Sequence, residues 1–322
     1  MESIGAIGVA RAARHPVRPR RLGDFLLRTG SLGLALSVLA ITGTIAAVLF
    51  VQSQQARHAF GWPFLWTSIW DPVALRFGAL PFIYGTVMTT VLALALAVPV
   101  GLGAAIFLAE LLPLRIADGF TFLIELLVAV PSVVYGLVGV FVLVPAMRSL
   151  ETAIQDVLGF IPLFAGPVYG VGLLTASVLL AVMVVPFIIA VSREVLLAVP
   201  ETQREAALAL GATRWEMVRH VVLPYARTGI LGSIFLALAR ALGETMAVTM
   251  VIGNRPEVSA SLFAPAYTMA AVLANEFTEA TDDVYLSALV EVGLVLFAIT
   301  VVVNAIARLL IGRVARPGAA NA

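Results

Sequence analysis

The chain has 322 residues, 61% of them hydrophobic and 12% charged, with a formal net charge of +1. Soluble domains carry about 25% charged residues, so this composition excludes an ordinary soluble fold and suits roughly six apolar spans of about 20 residues. Cysteine is absent and all 20 basic residues are arginine, which excludes disulfides, iron–sulfur clusters, thiol catalysis and a lysine-dependent phosphate-binding loop.

Residues 1–30 hold Arg11, Arg14, Arg18, Arg20, Arg21 and Arg28 with Pro16 and Pro19, and read as a tail with little apolar periodicity. The first span is expected at Ser31–Val51. A cleaved signal peptide is the rival reading, but the run exceeds the usual ~7–15-residue apolar core and lacks a small-x-small exit. The segment 52–82 is rich in rings (Phe60, Trp62, Phe64, Trp66, Trp70, Phe77). They form either an interfacial belt or a contact for an external partner.

Further spans are expected at Ile83–Leu108, Phe120–Val144, Val168–Val191, Gly229–Val251 and Ser287–Leu310, giving an all-α membrane protein. Pro99, Pro131 and Pro186 fall inside three of them, as packing kinks or as hinges. The 252–286 segment is acidic, with Glu257, Glu276, Glu279, Asp282 and Asp283. Fifteen arginines fall in the tails and in the 109–119 and 192–228 segments, against Arg57, Arg76, Arg148 and Arg255 on the other side. Arginine marks the cytoplasmic side, so both termini are expected there.

The 192–228 segment is the longest cytoplasmic connection. Pro200 opens a helix, Glu201 and Glu205 favour its positive start, Gly211 permits a reversal, and Pro224 is expected to close the segment. Thr213 with Glu216 has the spacing of a capping box. The pattern describes an amphipathic helix pair, lying on the membrane or offered to a partner.

Arg240 stands about eleven residues into the fifth span, roughly 16 Å deep, with Glu244 one turn on. The two read either as a structural ion pair or as part of a substrate path. A guanidinium suits an oxyanion; Glu244 would then hold it and moderate affinity, and Thr245 and Thr249 add hydroxyls. Glu125 and Glu291 are weaker candidates within spans. His15, His58 and His220 have no metal-ligand spacing, so no metal site is expected.

Glu205-Ala206-Ala207, Gly211, Val221 and Leu223-Pro224 have the spacing of the EAA motif, and the segment resembles that of ABC-importer permeases. Val221 stands where the family usually has isoleucine. The run Ala239-Arg240-Ala241-Leu242-Gly243-Glu244-Thr245-Met246-Ala247-Val248-Thr249 is similar to the fifth span of the PstC family, the permease subunits of phosphate-specific ABC importers. So are Phe64-Leu65-Trp66-Thr67 with Trp70-Asp71-Pro72, Phe77-Gly78-Ala79-Leu80-Pro81, Tyr84-Gly85-Thr86, Val130-Pro131-Ser132-Val133-Val134-Tyr135-Gly136 and Ala274-Asn275-Glu276-Phe277.

The resemblance runs from about residue 30 to 315. It implies a type I ABC-importer permease fold in a bacterial inner membrane. The permease domain would be 31–315, with coupling helices at about 200–224, a cytoplasmic tail at 1–30 and a C-terminal tail at 316–322. It implies a second, PstA-like permease, two copies of a PstB-like ATPase that uses the ATP, and an extracytoplasmic phosphate-binding protein. This chain would bind no cofactor and catalyse nothing itself. The motif assigns ATPase docking to Glu205, Ala206, Ala207, Gly211, Leu223 and Pro224, and the phosphate path to Arg240 and Glu244. Permeases for molybdate, sulfate or phosphonate are the near alternative. An ion-coupled secondary transporter is the distant one, and it would need its own carboxylate relay. A membrane enzyme would need a nucleophile–base pair that the sequence does not offer.

Overall fold

The computed structural model describes residues 21–314. Regular structure among them is helical, and six helical rods are long and apolar enough to cross a membrane. A chain this apolar meets no water inside a bilayer, and a helix closes its backbone hydrogen bonds within itself. Helix α1 (Arg21–Gln52) starts earlier than the expected Ser31. Residues up to Val48 form one unit, and residues from Leu49 onward form another. Most of the expected N-terminal tail and all of the C-terminal tail at 316–322 lie outside the described residues.

The second unit begins with α2 (Gln54–Phe60) and a 3-10 turn, Trp62–Leu65. Helix α3 (Leu80–Ile106) then runs on through a π turn, Phe107–Leu111. On it, Gly85, Thr89, Ala93, Ala97, Gly101 and Ala105 recur at every fourth position, and all are buried. Small residues on one face let two membrane helices approach closely. The partner is α7 (Leu173–Leu197), packed along α3 through Leu180, Val184 and Ile188. Pro99 and Pro186 lie within these two helices without ending them.

The third span departs from expectation. Helix α4 (Leu114–Ala129) stops before Val130 and Pro131, both extended. Proline disfavours helical backbone in the residue before it and lacks the donor the helix needs. A separate rod follows, made of α5 (Ser132–Val138), a π turn (Gly139–Leu143) and α6 (Val144–Leu158). The membrane-length rod is therefore Ser132–Leu158 instead of Phe120–Val144.

After α8 (Glu201–Ala209), the fifth rod begins at α9 (Arg214–Met217) and continues through a π turn (Val218–Val222) into α10 (Leu223–Leu242). Pro224 does not close the segment. It sits in the first turn of α10, where the widened turn carries the hydrogen-bond ladder past the N–H that proline lacks. The rod ends at Leu242 instead of Val251, and a short helix α11 (Met246–Val251) follows the break. Helices α12 (Met269–Glu276) and α13 (Asp283–Val314) complete the chain. The Ser192 and Ser233 hydroxyls, 2.8 Å apart and buried, join α7 to α10.

Three apolar clusters succeed one another along the rods. One at the Gly211 end joins Leu108, Leu196, Val199, Met217, Val218 and Val222. One in the middle joins α3, α7, α10 and α11. One at the opposite end gathers Phe64, Phe77, Phe82, Tyr267, Tyr285 and Leu289.

Candidate functional site

Arg240 lies in the last turn of α10, half-buried. Glu244 is not on the same helix face, because the helix has ended at Leu242 and Gly243 is its cap. No ion pair joins Arg240 to Glu244 among the described residues. Glu244 instead turns forward, and its Oε1 accepts the Ala247 N–H at 3.3 Å, capping the start of α11. The two charges thus sit at two helix ends of opposite polarity. The open carbonyls of a last turn favour a cation, and the free N–H groups of a first turn favour a carboxylate. Arg240 Nε is buried without a hydrogen-bond partner.

Thr245, at the start of α11, and Gly243 line an open groove of about 550 Å³ whose other walls are Ala270, Leu273, Ala274 and Phe277 of α12 and its end, and Val290, Gly293 and Leu296 of α13. Thr249 lies one turn along α11, its N–H on the Thr245 carbonyl at 3.0 Å and its hydroxyl buried without a partner. Gly136 of α5 packs so closely against Ala247 and Met250 of α11 that a Cβ would not fit. Tyr135 donates to the Leu127 carbonyl at 2.9 Å, tying α5 to α4 across the Pro131 break. The Val130–Gly136 motif therefore packs beside α11, the helix that carries Thr249. Of the weaker candidates, Glu125 is exposed on α4, and Glu291 is paired with Arg57 at 3.7 Å.

The wall formed by α12 is clamped to α3. The Tyr84 hydroxyl donates to the Ser259 carbonyl at 2.6 Å, and Thr86 Oγ1 accepts the Met269 N–H at 2.9 Å. Between them Gly85 meets the Tyr267 backbone so closely that a Cβ would collide with its carbonyl. This explains the Tyr84-Gly85-Thr86 triplet: two hydrogen-bonding side chains flank a residue that must have none. Burial, reinforced by the Glu276 carboxylate, pushes the Tyr267 hydroxyl well above its ordinary range, so it stays neutral, and it accepts the Asn275 side-chain N–H at 3.0 Å. The ring-rich 52–82 segment divides. Phe64 and Phe77 are buried in the cluster, whereas Trp62 and Trp66 are 80% and 72% exposed.

At the other end, residues 198–213 form the reversal the sequence predicts. Gly211 has φ +87°, a left-handed backbone with open space around it, so the need there is conformational and not steric. Thr213 and Glu216 make the reciprocal capping box, with N–H to side-chain oxygen distances of 2.8 and 3.3 Å. Ala207 and Leu223 pack inward against the cluster of Met217, Val218 and Val222. Glu205, Ala206, Leu208, Leu210 and Trp215 are exposed, Leu210 by 89%. The anchor of α8 is an ion pair that sequence reasoning missed: Arg204 to Glu110, 2.8 Å, with Glu110 4% exposed. Arg204 also donates to the carbonyls of Leu196 and Val199. A second bridge, Arg193 to Asp118 at 3.1 Å, ties α7 to α4. Both acids follow the second span closely, but nothing local in the sequence names partners so far along the chain.

The family described as "Binding-protein-dependent transport system inner membrane component" matches residues 97–316. A protein named "Phosphate transport system permease protein PstC" from Mesorhizobium japonicum is 46% identical, covering 99% of this chain and 98% of its own length. Proteins of that name from Xylella fastidiosa (43%; 93% and 94% covered) and Pasteurella multocida (44%; 90% and 92%) are similar too. An inward-facing MetNI methionine ABC transporter structure superposes with a TM-score of 0.54 at 18% identity, over 77% of this chain and 100% of that one, a likeness of fold. With six membrane-length helices and a family match over most of its length, the chain belongs to the inner membrane components of binding-protein-dependent transport systems, as a multi-pass permease subunit.

Proposed function

We propose that the chain is a permease subunit of an ATP-driven importer of inorganic phosphate, forming half of the translocation path, and that Arg240 meets the anion. The observation that carries this reading is a half-buried guanidinium at the end of a membrane-length helix, bound to no carboxylate and with Nε unpartnered. Guanidinium is planar, permanently charged and offers paired donors that match a phosphate edge. The name the relatives carry, phosphate transport system permease protein, supports the same substrate. Thr245 and Thr249 supply hydroxyls along the path, and Glu244 holds the start of α11 while its charge keeps affinity low enough for release.

The exposed surface around Glu205, Ala206, Gly211 and Trp215, with the exposed Pro224, docks a separate ATPase, and Ala207 and Leu223 shape it from beneath. ATP is used there, and this chain binds no cofactor. Because α9 runs unbroken into α10, a displacement at the docking surface travels along one rod. From Arg214 to Arg240 that rod is about 39 Å long at 1.5 Å per residue. A second permease completes the path, two ATPase copies drive it, and an extracytoplasmic binding protein delivers phosphate. Both chain termini lie in the cytoplasm.

Uptake of labelled phosphate by the assembled transporter tests the reading. Arg240→Gln is expected to cut uptake by about 100-fold, the scale of losing charge-assisted hydrogen bonds, with assembly intact. Undiminished uptake overturns the role of Arg240. Uptake that persists without the ATPase overturns the ATP-driven reading, and faster transport of sulfate or molybdate overturns the substrate.

A further inference from the structure

Helix α12 walls the groove opposite Gly243 and Thr245 through Ala270, Leu273 and Ala274. Its first turn is held twice, by the Thr268 hydroxyl accepting the Ala271 N–H at 3.2 Å and by Thr86 accepting the Met269 N–H. Its last residue is Glu276, about 10 Å further along the helix. A single oxygen of Glu276, Oε2, accepts the Trp70 indole N–H at 2.8 Å and the Tyr285 hydroxyl at 2.7 Å. Trp70 belongs to the segment between α2 and α3, and Tyr285 to the first turn of α13.

The surroundings are aromatic. The Trp70 ring meets Phe77, Phe82 and Tyr285 edge-on, at centroid separations of 4.8, 4.7 and 6.2 Å. An indole N–H in such a place needs an acceptor, since an unpaired buried donor is costly. An aliphatic side chain at 276 would leave both donors unpaired and release the end of α12.

We infer that Glu276 is a positioning residue: it latches the C-terminal end of α12 to the rest of the molecule and so sets the width of the groove beside Thr245. The inference rests on the proposed function, which puts Thr245, a residue of that groove, along the translocation path. What matters in this role is an oxygen that accepts two hydrogen bonds, and the negative charge is secondary.

The absence of cysteine makes the test direct. Ala274→Cys is introduced as the sole thiol, and its rate of modification by a maleimide is measured in the assembled transporter in lipid nanodiscs. Phosphate uptake is measured separately in the cysteine-free chains. Glu276→Leu is expected to raise the labelling rate about tenfold, as for loss of a charge-assisted hydrogen bond, and to lower uptake. Glu276→Gln, which keeps an oxygen at the same place, is expected to match the unmodified chain in both. The double variant Trp70→Phe, Tyr285→Phe removes both donors and keeps both rings. It is expected to reproduce Glu276→Leu, and it stands in if that variant fails to accumulate. Unchanged labelling in both donor-free and acceptor-free chains overturns the latch. So does Glu276→Gln behaving like Glu276→Leu, which would assign the role to charge. If labelling follows the latch but Arg240→Gln transports normally, the latch stands and the path assignment falls.

Discussion

A charged arginine deep in a bilayer costs on the order of 2.5–3.5 kcal/mol on insertion scales, and Arg240 recovers none of it from a bond to Glu244. The open carbonyls of its own last helical turn lower the cost instead. Removing both charges therefore does not restore what removing one destroys. Arg240→Gln with Glu244→Gln together is expected to transport no better than Arg240→Gln alone. Glu244→Gln by itself keeps an oxygen for the Ala247 N–H, and is expected to assemble normally and to lose uptake by no more than about tenfold, because the cap hydrogen bond is kept while the charge that eases release is gone. Uptake recovered in the double variant would return the two residues to a mutual structural pair. The sequence made both residues visible, because so little charge surrounds them. It could not reveal their separation, since the i,i+4 argument assumes an unbroken helix and Gly243 carries no proline to announce the break. The role of Gly136 was hidden too: its motif was legible, but its neighbours across the fold, Ala247 and Met250, were not.

At the scale of elements, the helical reversal at 198–213 was the most legible part, because Pro200, Gly211, Thr213 and Glu216 act on backbone within a few residues of themselves. Gly211→Ala places a Cβ in a left-handed backbone, at a cost of about 1–2 kcal/mol. It is expected to weaken ATPase co-purification while leaving membrane insertion unchanged, as measured on solubilised complexes. The Arg204–Glu110 anchor is long-range and was invisible. Breaking a buried pair by removing one partner costs about 3–5 kcal/mol. Arg204→Leu is therefore expected to free α8, seen as rapid proteolysis within 198–213, and Glu110→Leu added to it is expected to slow that cleavage again. Proteolysis equal in all three chains would show that α8 is held by its apolar contacts. The stripe from Gly85 to Ala105 was written in the sequence at every fourth position, yet its meaning depended on a partner helix. Ala97→Leu is expected to destabilise the α3–α7 contact by about 1–3 kcal/mol through overpacking, visible as a lower melting temperature in detergent.

For the whole molecule, topology turns on α4. Its 16 residues reach about 24 Å, short of a hydrocarbon core of about 30 Å. The chain leaves α3 among the Gly211-end residues, where Leu108 packs with Leu196 and Met217. It enters α7 at the other end, where the Leu173 N–H donates to the Ala264 carbonyl at 3.1 Å. Between those points it must cross an odd number of times. Helix α4 and the rod Ser132–Leu158 therefore share one crossing, bent at Pro131. Under the proposed function the Gly211 end is the cytoplasmic one, in keeping with the arginines of the 192–228 segment. Two exposed positions separate the possibilities: Val73, 96% exposed between α2 and α3, and Leu210, 89% exposed at the reversal. With single cysteines there, an impermeant maleimide is expected to modify Val73→Cys from outside intact cells with a permeabilised outer membrane, and Leu210→Cys only in inverted vesicles. If α4 made a crossing of its own, both would react from the same side. If the arginine argument had the wrong sign, the two reactivities would exchange, and the docking surface would face away from any cytoplasmic ATPase.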